Sequence, residues 1–183
     1  MNIELHSKRV KNTANNLLKK TNLVRLLDEF GEVVVCGSYK YDLMWGNDID
    51  IIVKCNDERK ASKDALQKLV ESRLFQKYEY GDFVKFKRNN RPNSYIVNLR
   101  LPYEGQNWEI ETWFFEKIPV EQIDIDNLIR EKLNNQNKKT ILMMKKFREE
   151  RDDSKHKISS TKIYIEVLKN RIKDFDKLEL DID

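Results

Sequence analysis

Asp48 and Asp50 stand one residue apart in the run Asp48-Ile49-Asp50-Ile51-Ile52-Val53. An extended chain sends alternate side chains to opposite faces, so both carboxylates share one face and Ile49 and Ile51 take the other. Carboxylates held a few ångströms apart repel. Without a cation, burying that repulsion raises one pKa or destabilises the strand. A divalent metal removes the conflict, and an all-oxygen ligand set with places left for water and phosphate suits Mg²⁺ or Mn²⁺. A second acidic pair with the same spacing, Glu109 and Glu111, lies in Asn107-Trp108-Glu109-Ile110-Glu111-Thr112-Trp113-Phe114, with Trp108, Ile110 and Thr112 on the opposite strand face.

The elements around these pairs must hold them in place. Val33-Val34-Val35-Cys36 is an apolar run that reads as a short strand buried on both faces. It ends at Gly37, which can take a positive φ or admit a close backbone, and Ser38 is a favoured N-cap for a following helix. Upstream, Val10, Ala14, Leu17, Leu18, Leu23, Leu26 and Leu27 recur at three- and four-residue intervals, which predicts an amphipathic helix over 3–30 with a break near Thr21-Asn22. Asn56-Asp57-Glu58 signals the start of another helix reaching about Phe75. Short alternating segments follow: Tyr78–Tyr80, Phe83–Lys87, Ser94–Leu101 and Trp108–Phe115, separated by turn-forming residues. They read as antiparallel strands that continue the sheet. Beyond Pro119 the pattern turns helical: one or two helices between Val120 and about Arg151 with a break at Asn134–Asn137, then a last helix capped by Ser159-Ser160. The fold class is therefore α+β with α/β character, a mixed sheet flanked by helices. The expected division is a unit over 1–118, with its core at 31–116, and a C-terminal helical region over 119–183.

An apolar strand, Gly-Ser, a spacer and then Asp-apolar-Asp-apolar resembles the nucleotidyltransferase superfamily typified by DNA polymerase β. Gly37-Ser38 and Asp48-Ile49-Asp50-Ile51 carry the likeness, and the wording is most similar to small bacterial stand-alone and antibiotic-modifying members. The resemblance covers about Val33 to Phe115, and more loosely a C-terminal helical appendage. It implies transfer of a nucleoside monophosphate from a nucleoside triphosphate, ATP by preference, to a hydroxyl acceptor that is a small molecule, a protein or an RNA end. It also implies metal ligation by Asp48, Asp50 and Glu111, the last where the family commonly has Asp. Glu109 is the reserve ligand or the proton acceptor. Gly37, Ser38, Tyr39 and Lys40 are the implied nucleotide-binding turn. Many members carry arginines soon after Gly-Ser; here Tyr39, Lys40 and Tyr41 stand there, so Lys40 or a C-terminal cation such as Lys145, Lys146 or Arg148 must face the phosphates. Trp45 reads as interior filler, and Tyr39 is open between stacking on a base and packing. A homodimer or a helical partner protein is a further implied arrangement. The competing classes are an inactive protein of this fold that serves in interactions, and a phosphoester hydrolase using the same acids.

Composition limits the rest. Among 183 residues, 35 are Lys or Arg and 31 are Asp or Glu, so the net charge of +4 does not mark a general nucleic-acid binder. No run approaches the roughly 18 apolar residues of a membrane span, and the start lacks a signal-like apolar stretch, so a cytoplasmic location without membrane is expected. Cys36 and Cys55 read as buried, unpaired thiols. His6 and His156 have no partner spacing and receive no role.

Overall fold

The computed structural model describes residues 2–88, 91–151 and 158–178. The N-terminal helical pattern resolves into α1 (Ile3–Thr21) and α2 (Leu23–Asp28), divided at Asn22, whose left-handed φ of 51° breaks the helix. Next come β1 (Glu32–Val35), a single turn α3 (Gly37–Lys40) and β2 (Asp48–Lys54). Helix α4 (Glu58–Ser72) starts where Asp57 accepts from the Lys60 N–H, and it stops at Arg73 in the left-handed region. The sheet is completed by β3 (Lys77–Asp82), β4 (Tyr95–Tyr103) and β5 (Gln106–Phe115). The C-terminal part holds α5 (Val120–Lys132), α6 (Asn135–Glu150), α7 (Ser160–Leu168) and a short 3₁₀ turn at Phe175–Lys177. Asn134 and Ser159 cap α6 and α7 with their side chains. His156 lies outside the described residues.

The five strands run in the order β1-β2-β5-β4-β3. Only β2 and β5 are parallel; the other neighbours are antiparallel, so the sheet is mixed. One expected strand is absent. Phe83–Lys87 alternates like a strand, yet Asp82 closes a turn there: its side chain accepts from the Lys85 N–H at 2.9 Å and its carbonyl from the Phe86 N–H at 3.1 Å. Since β3 is already the sheet edge, the alternating residues have no further neighbour to pair with.

The two faces of the sheet differ. Ile49, Ile51, Val53, Val97, Leu99, Ile110 and Phe114 point to one side and form a single core with Ala14, Leu17, Leu23 and Leu27 of α1 and α2 and Ala65 and Leu69 of α4. The other face carries a smaller apolar cluster among the described residues. Its half nearest the ends of β2 and β5 is apolar, with Ile52, Ile96, Trp113 and Phe115 clustered there. Its other half is polar and carries the four acids.

A second core joins Ile129, Ile141, Met144, Ile163, Tyr164 and Val167 of α5–α7. Leu43, from the connection between α3 and β2, is fully buried within it. The motif loop is thereby wedged into the C-terminal helices.

Candidate active site

The register of β2 against β5 pairs Asp48 with Glu109 and Asp50 with Glu111. Paired residues on neighbouring strands lie about 4.8 Å apart and share a face. All four carboxylates therefore sit together on the polar half of the open sheet face. The two acidic pairs, 61 residues apart in sequence, face each other in register because the β2–β5 pairing is parallel.

Each acid has a different environment. Glu109 accepts from Asn98 Nδ2 at 2.6 Å and from Arg100 at 3.1 Å, both on β4. Glu111 faces Arg91, whose Nη1 lies 3.3 Å from Oε2. Asp48 and Asp50 have no hydrogen-bond or ion-pair partner for their carboxylates among the described residues. Burial pushes Asp50 up to about 7, and the charges of Asp48 and Glu111 add to the shift. Burial likewise raises Glu111, while Arg91 holds it down. The conflict expected of two unpaired neighbouring carboxylates is thus present, and it falls on Asp50.

The turn between β1 and α3 floors this pair. The Cys36 N–H donates to the Asp50 carbonyl at 2.9 Å. Gly37 then adopts φ 59°, and a Cβ built there would meet Asp50 Oδ2 at 2.1 Å. Gly46 makes similar room for Asp48, whose Oδ1 would lie 2.7 Å from an added Cβ. Ser38 does not cap the helix. Because Gly37 already starts α3, Cys36 occupies the N-cap position without a side-chain bond, and Ser38 is buried inside the turn.

The remaining nucleotide-turn candidates are held elsewhere in this state. Tyr39 donates to Asn15 Oδ1 at 2.7 Å and packs against the sheet core under Lys11. Lys40 pairs with Asp126 of α5 at 2.7 Å, and Tyr41 donates to the same carboxylate. Of the C-terminal cations, Lys145 is the one turned inward. It is 2% exposed, donates to the Leu43 carbonyl at 2.9 Å and lies over the Tyr164 ring at 5.1 Å. Burial lowers its pKa to about 8 against the opposing pull of Asp48 and Asp50. Lys146 pairs with Glu150, and Arg148 donates to the Ile158 carbonyl.

Three features of the site escaped sequence reasoning. Arg91 sits in a turn whose contact with Glu111 no spacing announces, and Asn98 reaches Glu109 only through the β4–β5 register. The third is a cavity of about 440 Å³ between α1 and the segments leading into β2 and β5, lined by His6, Thr13, Trp45, Asn47, Gln106 and Trp108 among others. There the His6 ring lies tilted by 44° against Trp45 with ring centres 4.3 Å apart, and the Trp108 indole N–H has no partner among the described residues. Alternation within β5 does give Trp108 away as buried, but nothing local ties it to α1.

A divalent metal was tested against these residues. Among the described residues no group of three or more His, Cys, Asp or Glu side chains is gathered as a metal would need. Asp48 and Asp50 fit a hard cation as a pair: both carboxylates lack partners, and Asp50 carries a repulsion that a cation would relieve. Glu111 is engaged with Arg91 and stands beside the pair rather than in it.

No family model matches the sequence, and no curated protein matches it. Solved structures do. The chain is similar to the polymerase core of TRAMP, an RNA surveillance complex, at 19% identity and a TM-score of 0.59, over 85% of this chain and 47% of that one. It is similar to the Cid1 poly(U) polymerase at 14% identity and a TM-score of 0.60, over 90% and 54%. For the non-canonical poly(A) polymerase complex GLD-2–GLD-3 the values are 12% and 0.58, over 100% and 69%. The chain thus spans about half the length of the first two. Its fold is that of the polymerase β-like nucleotidyltransferases, as the motif resemblance implied.

Proposed function

We propose that this chain is a metal-dependent nucleotidyltransferase that moves a nucleoside monophosphate from a nucleoside triphosphate, ATP by preference, to a hydroxyl acceptor. The observation that carries the reading is the β2–β5 register, which sets the partnerless Asp48 and Asp50 directly against Glu109 and Glu111. In this reading residues 1–118 form the catalytic unit and 119–183 a helical cover.

Asp48 and Asp50 would hold Mg²⁺ or Mn²⁺. Bound there, the metal supplies charge neutralisation of the phosphates and acidification of the attacking hydroxyl. Glu111, now paired with Arg91, would be the third residue to hold the cation. Glu109 accepts hydrogen bonds from Asn98 and Arg100, which hold it in place for taking up the acceptor's proton. Lys145 places a buried positive charge behind the acidic pair and limits its repulsion. Lys40 reaches a phosphate only on release from Asp126, which ties nucleotide entry to α5. Gly37 leaves space over Asp50 that any side chain would fill.

Calorimetric titration with ATP, with and without Mg²⁺, tests the assignment. Binding should require the metal and should vanish in Asp48→Ala. A folded wild-type protein that binds no triphosphate with either metal present would favour a purely interacting role. Steady phosphate release without an acceptor would favour hydrolysis.

A further inference from the structure

The small net charge of the chain conceals a local excess. From Phe83 to Tyr103 there are five cations, Lys85, Lys87, Arg88, Arg91 and Arg100, and no acid, giving that segment +5 against +4 for the whole protein. The rest of the chain sums to −1. Four of the five lie between β3 and β4, and Lys85 and Lys87 fall in the stretch Phe83–Lys87 that the sequence pattern had suggested as a strand.

That turn is built, not merely basic. Asp82 closes it, and the Phe83 N–H donates to the carbonyl of the fully buried Ser94 at 3.0 Å. Phe83 packs on Trp113 with ring centres 6.0 Å apart, which fixes the turn to the open sheet face. Residues Val84 to Arg88 are all exposed, and Phe86 keeps 65% of its surface free. Cations lie over rings throughout: Lys85 over Phe86, Arg88 over Phe83 and Arg91 over Trp113, at 5.1, 5.1 and 5.4 Å. Lys85, Lys87 and Arg88 have no acidic partner among the described residues. Trp113 and Glu111 share one face of β5 two residues apart, and Arg91 touches both, so the turn runs directly into the acidic site.

Unpaired cations interleaved with exposed aromatic rings suit one class of ligand. A single nucleic-acid strand offers phosphates to the cations and unstacked bases to the rings. A small acceptor needs neither, and an acidic peptide offers charge without bases. We propose that the β3–β4 turn is a track for single-stranded nucleic acid, with Phe86 as a stacking platform and Lys85, Lys87 and Arg88 on the phosphates. As the track of the hydroxyl acceptor this rests on the transferase reading; as a binding surface it does not.

Fluorescence anisotropy of a labelled oligouridylate and a labelled oligothymidylate with the full chain tests the surface. The wild type should bind, with an affinity that falls as salt rises from about 50 to about 200 mM. Lys85→Ala/Lys87→Ala/Arg88→Ala should weaken binding roughly 100-fold near about 0.1 M salt and flatten the salt slope by about 2, from about 0.7 per lost phosphate contact. Phe86→Ala should cost about 5- to 150-fold with the slope unchanged. These side chains are exposed, so circular dichroism should show an intact fold. Comparison of the two oligonucleotides tells whether the strand is read as RNA or simply as a strand. The proposal is overturned if the wild type does not bind at low salt, if the triple variant keeps its affinity and slope, or if polyglutamate displaces the strand equally well. Metal-dependent ATP binding reads the transferase assignment separately: its absence would remove that assignment and leave the strand-binding result standing.

Discussion

Replacing Asp50 with Asn should stabilise the metal-free protein while destroying its metal response. Burial and the charges of Asp48 and Glu111 raise the Asp50 carboxyl from 3.8 to about 7 in the folded state. The native protein therefore binds this proton more tightly than the unfolded chain. The group's favourable contribution is complete below the unfolded pKa of 3.8 and is lost as pH rises through about 7. At about 1.36 kcal/mol per pH unit, the gap between the two values caps the cost of an ionised Asp50 at about 4 kcal/mol. Asp50 still keeps part of its surface open to solvent, and screening reduces this to about 2 kcal/mol. Asn preserves the shape and removes the charge. Urea denaturation in EDTA should show Asp50→Asn more stable than wild type by about 2 kcal/mol near pH 8, with the difference shrinking toward zero as pH approaches 4. Millimolar Mn²⁺ should reverse the order, stabilising the wild type and leaving the variant unchanged. A variant less stable than wild type at pH 8, or equally more stable at every pH, would refute the electrostatic account.

Two further substitutions probe how the site is supported. Gly37→Ala places a methyl group 2.1 Å from Asp50 Oδ2 at a φ of 59°, so it should cost about 1–2 kcal/mol from the backbone alone and abolish metal-dependent ATP binding by moving the carboxylate; calorimetry showing wild-type binding would contradict this. Leu43→Ala removes a fully buried side chain from the C-terminal core and should lower stability by about 2–5 kcal/mol in urea titration, a loss under about 1 kcal/mol counting against the wedge.

What the sequence disclosed follows its local periodicities. The breaks at Asn22 and at Asn134, the helix starts at Asp57 and Ser159, and the faces of β2 and β5 are all set within a few residues of one another, where spacing and side-chain type suffice. The Gly37 turn and the Asp48–Asp50 pair were equally plain. The failures share a cause. Phe83–Lys87 alternates as a strand does, but its fate depends on Asp82 and on having no strand beyond β3, a tertiary condition. Arg91 meets Glu111 across 20 residues and Lys145 reaches Leu43 across 102, and no periodicity carries such pairings. Ser38 is a good N-cap by type, yet Cys36 takes the N-cap position two residues earlier, and Gly37 makes the left-handed turn above Asp50.

The placement of charge on the open face explains why the site is left strained rather than neutralised. Arg100 and Asn98 satisfy Glu109, and Arg91 satisfies Glu111, so the fold has cations available at this height on the sheet. Neither arginine pairs with Asp48 or Asp50, and the buried Lys145 donates to the Leu43 carbonyl, its pKa lowered to about 8 by burial. A sequence selected only for stability would place a neutral residue at Asp50, since an unpaired, largely buried carboxylate opposes folding. On the proposed reading, the two partnerless acids over glycine-made space are kept for a cationic ligand, and the pH dependence of Asp50→Asn measures how much folding energy is held back for it.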